Sequence, residues 1–190
     1  DSIMKQNPTR IPVAIGADHG GFQLKQSLVR EIEAAGFSVR DLGTNSKDSV
    51  DYPDFAGAVG GAVAAGEAGF GVLICRTGIG MSMSANKLPG IRAALVTSSE
   101  AARLSRQHND ANVICLAGDG TNPADAAAWV REFLTTKFEG GRHARRVGKM
   151  SGGGVAARVR RADTAIGEVI ENEERRQSEN IELIASENFT

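Results

Sequence analysis

Cysteine is scarce in this chain: two residues in 190, too few for a disulfide framework. Both, Cys75 and Cys115, end or sit within apolar runs, which fits a reducing cytoplasm better than an oxidising compartment. No apolar run reaches bilayer-spanning length, and the start shows no signal-peptide pattern. The net charge of −1 removes bulk attraction to nucleic acid or to an anionic membrane. There is no Walker A motif and no dinucleotide-binding fingerprint. The three histidines and two cysteines lack metal-ligand spacing. These absences point away from membrane, nucleic-acid, nucleotide and metal chemistry. The length allows one ordinary domain plus a short appendage.

What is there alternates in type. Apolar runs at Ile11–Gly16, Phe37–Leu42, Phe70–Cys75, Ile91–Val96 and Asn112–Ala117 read as strands. Between them lie helical stretches. Phe22–Ala35 carries Leu24, Leu28 and Ile32 on one face and stops at Gly36. Pro53 starts an alanine-rich helix to Ala65, and another runs from about Met81 to Pro89-Gly90. Ser98-Ser-Glu100 caps a helix to about Gln107, and Asn122-Pro123 opens one through Leu134. This order predicts an α/β fold: a doubly wound parallel sheet sandwich, Rossmann-like and three-layered. In such folds, ligands bind beyond the carboxyl ends of the strands. Asp18-His19, Cys75 and Asp119 all fall just past predicted strand ends. Residues 1–10 form a polar segment, 11–150 the domain, and 151–190 an appendage. The appendage opens on Ser151-Gly-Gly-Gly154, a flexible linker, and continues as a charged, helix-prone tail.

The segment Val72 to Ser82 concentrates the chemistry. A strand ends in Cys75, a turn carries Thr77, Gly78, Ile79 and Gly80, and a helix begins near Met81-Ser82. Glycine permits the backbone geometry in which successive amides point at an anion, and such a field favours a thiolate. The plainer reading of a strand-end cysteine is a small buried hydrophobe, and the residues alone leave both open. Cys115, without such a turn, reads as core. His19, His108 and His143 each sit in polar, loop-like sequence. His19 follows a buried strand and His108 lies between a helix end and a strand, so each is placed to move protons. Arg142-His-Ala-Arg-Arg146 is a basic cluster that reads either as a solvated patch or as a phosphate clamp.

Six stretches together resemble the type B ribose-5-phosphate isomerase family, which also contains galactose- and allose-6-phosphate isomerases. They are Gly16-Ala-Asp-His-Gly-Gly-Phe22, Asp51-Tyr-Pro-Asp-Phe55, Cys75 to Lys87, Pro89-Gly-Ile-Arg-Ala93, Ser105-Arg-Gln-His-Asn-Asp-Ala-Asn112 and Phe138-Glu-Gly-Gly-Arg-His143, in family order. The resemblance implies a cofactor-free aldose–ketose isomerase acting on a sugar phosphate through a cis-enediolate. It implies a homodimer with shared active sites, or a higher oligomer built from it. It makes Cys75 the base that moves a proton between C1 and C2, with Thr77 assisting. The amides of Gly78, Ile79, Gly80, Met81 and Ser82 would stabilise the enediolate. His108, helped by Asp18, would open the furanose ring, and Asn109 would position the sugar. His19, Arg142 and Arg146 would hold the phosphate. One branch of the family uses a glutamate four residues after the cysteine position, where this chain has Ile79; the resemblance is to the cysteine branch.

Two positions depart from the family pattern. Arg76 stands where a glycine is usual, a bulky cation beside the turn. Asp119 stands where an arginine is usual, an acid that repels phosphate. The tail resembles another family: Glu173-Glu-Arg-Arg-Gln177 and Ile181 to Thr190 are similar to the N-terminal segment of serine hydroxymethyltransferase. That implies a fused two-enzyme polypeptide cut just inside its second enzyme. The leading expectation is isomerisation of ribose 5-phosphate to ribulose 5-phosphate. Its rivals are an allose- or galactose-6-phosphate isomerase and a non-catalytic sugar-phosphate-binding or assembly module of a fused transferase.

Overall fold

A computed structural model of the chain describes residues 11–150 and, beyond them, Thr164, Ile166, Glu168, Val169 and Asn172. Two compact units are present, the first ending at Ala144 and the second starting at Arg145. The first unit holds five strands: β1 (Val13–Ala17), β2 (Val39–Asp41), β3 (Phe70–Cys75), β4 (Ala93–Leu95) and β5 (Val113–Ala117). Its helices are α1 (Phe22–Ala34), α2 (Tyr52–Ala64), α3 (Ile79–Ala85), α4 (Ser99–Asn109) and α5 (Pro123–Thr135); α6 (Arg142–Met150) begins in it. In the second unit, Thr164, Ile166, Glu168, Val169 and Asn172 are helical, as the tail's composition predicts. The Ser151–Gly154 linker and the strings resembling serine hydroxymethyltransferase lie outside the described residues.

All pairings are parallel, in the order β2-β1-β3-β5-β4. The chain steps from β1 one way to β2 and the other way to β3, so the sheet is doubly wound with its switch point between β1 and β3. Side chains alternate across the sheet with period two. Val13, Ile15, Val72, Ile74, Ile114 and Leu116 pack on one face with Leu24, Leu28 and Ile32 of α1 and Val130 and Phe133 of α5. Ala14, Leu73, Cys75, Val113 and Cys115 pack on the other with α2 and α3, through Val59, Val63, Met81 and Ala85. The four-residue spacing of Leu24, Leu28 and Ile32 therefore marks the buried stripe of α1, as predicted. α2 sits close on the sheet because Gly16 and Gly71 leave room for Val59; a Cβ on either would lie 2.8 Å from a Val59 methyl.

Three differences from the sequence expectation bear on the site. α3 starts at Ile79, two residues early, because Gly78 in the left-handed region (φ 73°) turns the chain into the helix at once. α4 runs to Asn109, so His108 and Asn109 belong to its last turn and not to a loop. The helix ends at Asp110, whose backbone is left-handed (φ 47°), and two arginines hold that residue. Arg92 donates from Nη2 to Asp110 Oδ2 (2.8 Å) and from Nε to its carbonyl (2.7 Å). Arg106 donates from Nη1 to Asp110 Oδ1 (2.8 Å) and to the Ala111 carbonyl (2.6 Å). Finally, Arg142 to Met150 is a helix whose first turn buries His143, where the sequence suggested an exposed basic loop. A histidine flanked by arginines has no apolar period to signal burial.

Arg106 is buried although charged, and its guanidinium lies 4.9 Å from the centre of the Phe70 ring and 5.8 Å from that of Phe133. It joins the end of α4, the start of β5 and, through a longer bond to the Thr136 carbonyl (3.4 Å), the end of α5. Truncation would leave the Ala111 carbonyl and Asp110 without this donor and empty a space between two rings. Arg106→Ala is expected to lower unfolding free energy by about 2–4 kcal/mol in urea titrations. A loss below about 0.5 kcal/mol would contradict this account.

Candidate functional site

Because every strand runs the same way, the β→α turns gather at one end of the sheet and the α→β returns at the other. The residues singled out in sequence divide between these ends. Asp18, His19, Cys75, Thr77, Gly78, Ile79, Gly80, Met81 and Ser82 collect at the carboxyl end. His108, Asn109 and Arg142 lie at the amino end, where α4 and α5 return. β5 alone separates these ends by roughly 13 Å, at about 3.3 Å per residue. Arg146 belongs to the second unit.

At the carboxyl end, the β1–α1 and β3–α3 turns flank the switch point. Asp18 is buried, and its Oδ1 accepts from the amides of Gly20 (2.9 Å) and Gly21 (3.1 Å). This carboxylate therefore shapes the turn that presents His19. The Nδ1 of His19 accepts from the Val50 amide (3.2 Å), so the neutral ring carries its proton on Nε2. Val50, which lies outside every recognised motif, is what orients that imidazole.

Cys75 ends β3 on the face covered by α2 and α3, and it is 5 % exposed. Cys115 lies on the same face at 0 % exposure; burial, then the charge of Cys75, pushes its thiol far above the ordinary range. Of the two, only Cys75 meets a turn. Thr77 Oγ1 accepts from the Ile79 amide (3.3 Å), and the Gly78 carbonyl accepts from the Ser82 amide (3.0 Å). The amides of Gly78, Gly80 and Met81 have no hydrogen-bond partner among the described residues. Of the five amides expected from sequence to face an anion, those of Ile79 and Ser82 are hydrogen-bonded within the turn itself. The Met81 side chain belongs to the core, and the Ser82 hydroxyl donates to the Ala93 carbonyl (3.2 Å). Gly78 is required twice over: its backbone is left-handed, and a Cβ would sit 2.9 Å from the Leu116 carbonyl oxygen.

Arg76 and Asp119, the two departures, face each other. Arg76 Nη1 donates to Asp119 Oδ2 (3.2 Å), both side chains being more than half exposed. The Arg76 stem crosses Gly20, where an added Cβ would meet its Cγ at 2.6 Å. Strand-like pairing continues beneath them: the Gly118 amide donates to the Cys75 carbonyl (2.7 Å) and the Asp119 amide to that of Arg76 (3.0 Å). Each unusual charge answers the other.

At the amino end, the imidazoles of His108 and His143 stack with parallel planes and centroids 4.3 Å apart. Each Nε2 approaches Glu139 Oε2, at 3.8 Å and 3.7 Å. The Glu139 amide donates to the Gln107 carbonyl (3.1 Å), tying this loop to the end of α4. Arg142 Nε donates to His143 Nε2 (3.3 Å). Sequence reasoning missed Glu139 and gave His143 no role. The signal available was the four-residue spacing of Glu139 and His143, but nothing local connects that pair to His108.

The comparisons with known proteins agree with this architecture. The ribose/galactose isomerase family model matches residues 13–150. A probable ribose-5-phosphate isomerase B of Mycoplasma pneumoniae is 45 % identical over 140 residues, covering 73 % of this chain and 92 % of the relative. Ribose-5-phosphate isomerase B of Escherichia coli is 44 % identical over 135 residues, covering 71 % and 91 %. Among solved structures, the type B ribose 5-phosphate isomerase of Trypanosoma brucei superposes with TM-score 0.74 at 48 % identity, covering 76 % of this chain and 99 % of that one. A ribose 5-phosphate isomerase of Thermotoga maritima gives TM-score 0.73 at 44 % identity, covering 75 % and 98 %. With its parallel sheet, its β3–α3 turn and this extent of likeness, the chain belongs to the ribose/galactose isomerase family.

Proposed function

We propose that this chain is an aldose–ketose isomerase that interconverts ribose 5-phosphate and ribulose 5-phosphate. The observation that carries the reading is a thiol at the end of β3 beside a turn with three unpartnered amides, in a chain of this family. Isomerisation needs one base to carry a proton between C2 and C1, donors for the oxyanion that develops, and a remote anchor. Cys75 is the base, and the Gly78, Gly80 and Met81 amides receive the enediolate oxygen. Thr77, held by the Ile79 amide, assists proton handling at the sugar oxygens. His108 opens the furanose ring, with Asp18 in support through the turn it shapes, and Asn109 positions the sugar. His19, Arg142 and Arg146 bind the phosphate, whose fixed position orients the reacting carbons. The isomerase domain is residues 11–150, and 151–190 are linker and tail. A reducing cytoplasm keeps the Cys75 thiol available; no helix among the described residues is long and apolar enough to cross a membrane.

The working unit is a homodimer with two shared sites. Two observations support it. Cys75 and His108 lie at opposite ends of one sheet, so no single substrate touches both within one chain. The carboxyl end also exposes apolar side chains around α3: Ile79, Met83, Tyr52 and Leu95. Tyr52 lies against Gly80 and Leu95 against Gly78 in this patch. A second copy seated there covers the patch and brings its His108 to this chain's Cys75.

Complementation tests this reading. Cys75→Ala and His108→Ala are each expected to lose at least about a hundredfold in kcat with ribose 5-phosphate. Mixed, dissociated and reassociated, they are expected to recover about a quarter of wild-type activity, because each heterodimer holds one intact site. No recovery would show that the site is not shared, and an active Cys75→Ala variant would remove Cys75 as the base. The ion pair at the mouth gives a separate expectation. An exposed pair contributes about 0–1 kcal/mol to stability, so Asp119→Ala should leave the fold intact. It removes a charge that repels phosphate and frees Arg76, and KM for ribose 5-phosphate is expected to fall about two- to fivefold with kcat unchanged. A rise in KM would mean that the pair itself organises the site.

A further inference from the structure

We propose that His108, Glu139 and His143 form a binding site for a borderline divalent transition ion, Zn2+ being the best fit, and that its occupancy switches off the isomerase. The inhibitory half rests on the role given above to His108; the binding half does not. Two imidazoles and one carboxylate are the donor set of open zinc sites, with water in the fourth position. The three donor atoms lie within 4.8 Å of one another. Tetrahedral bonds of about 2.0–2.2 Å hold ligand atoms about 3.3–3.6 Å apart. The two histidine–carboxylate gaps, 3.8 Å and 3.7 Å, need to close by only a few tenths of an ångström. The histidine pair needs the larger change, because the stacked rings must splay to aim both lone pairs at one ion.

The burial pattern suits that adjustment. The His143 side chain, 6 % exposed, is the fixed ligand at the start of α6, while His108 at 37 % and Glu139 at 48 % have room to move. His143 Nε2 already accepts from Arg142 Nε, which sets it as the unprotonated nitrogen that a metal requires. Arg142 is exposed and rotates into solvent when the ion enters. Its charge, left nearby, weakens the site and makes occupancy reversible. The softer ligand Cys75 lies at the other end of the sheet and contributes nothing within the chain. An ion on His108 Nε2 occupies the lone pair that ring opening uses, so metal and catalysis compete for one nitrogen.

The test uses the full chain after removal of metal with EDTA and dialysis, titrated with Co2+ as a spectroscopic probe. One Co2+ per chain should bind with the intense visible absorption of tetrahedral coordination, and Zn2+ should displace it. Glu139→Gln and His108→Ala, both at solvent-accessible positions, should each abolish the band, whereas Cys75→Ala should leave it unchanged. In the ribose 5-phosphate assay, Zn2+ should inhibit and EDTA should restore the rate. Measured against its own metal-free rate, Glu139→Gln should need at least about tenfold more Zn2+ for half-inhibition. A weak octahedral spectrum, a band lost in Cys75→Ala, or equal Zn2+ sensitivity in Glu139→Gln would each overturn the proposal. If the metal-free wild type shows no isomerase activity, the cobalt spectra still decide whether the site binds metal.

Discussion

The structure depends first on all five strands pointing the same way. A parallel pair cannot be joined by a hairpin, so every strand is followed by a helix that carries the chain back. That constraint covers both faces of the sheet and makes its three central strands, β1, β3 and β5, apolar on both sides. It also sorts the chemistry, because groups that follow strands gather at one end and groups that precede strands at the other. The thiol with its open amides belongs to the first set, and the stacked histidines belong to the second. The proposed homodimer answers that division, and the exposed apolar side chains around α3 are the surface it covers.

The two ends are organised by different physics. At the carboxyl end the backbone does most of the shaping. Asp18 ties down one turn, Gly78 permits the other, and adjacent strands continue to pair into the loops. The charges there, Arg76 and Asp119, are solvated and paired, which gives them little weight in stability and more in the local potential. At the amino end the order is electrostatic. Arg92 and Arg106 converge on Asp110, whose left-handed backbone would otherwise be costly. Arg106 is enclosed by two aromatic rings, so its hydrogen bonds act in a poorly screened setting. The same arrangement holds the end of α4 beside the Phe138–Gly140 loop and so presents His108 next to Glu139 and His143.

Much of the fold was legible in the sequence because its signals are local. The apolar runs, the spacing of Leu24, Leu28 and Ile32, the cap at Ser98 and the proline at 123 each act within a few residues. Boundaries near the candidate site shifted where a glycine or a few charged side chains overrode the pattern. Gly78 starts α3 early, the arginine clamp on Asp110 lets α4 run through His108, and the polar stretch after Gly141 coils around a buried histidine. In the site, the turn after Cys75 was readable because glycine spacing reports backbone geometry directly. Val50 as the partner of His19 was not, since a backbone amide leaves no trace in sequence.

The sequence by itself determined the element order, the parallel sheet, the family motifs and the candidacy of Cys75, since all of these follow from periodicity and short-range chemistry. Only the tertiary structure decided which residues share a space. It divided one set of motifs between two ends of a sheet, paired Arg76 with Asp119 across 43 positions, and joined His108 to Glu139 and His143. The physical reason is that such contacts depend on where returning helices deliver their ends. That is set by the sum of packing over the whole sheet, which no local window of sequence contains.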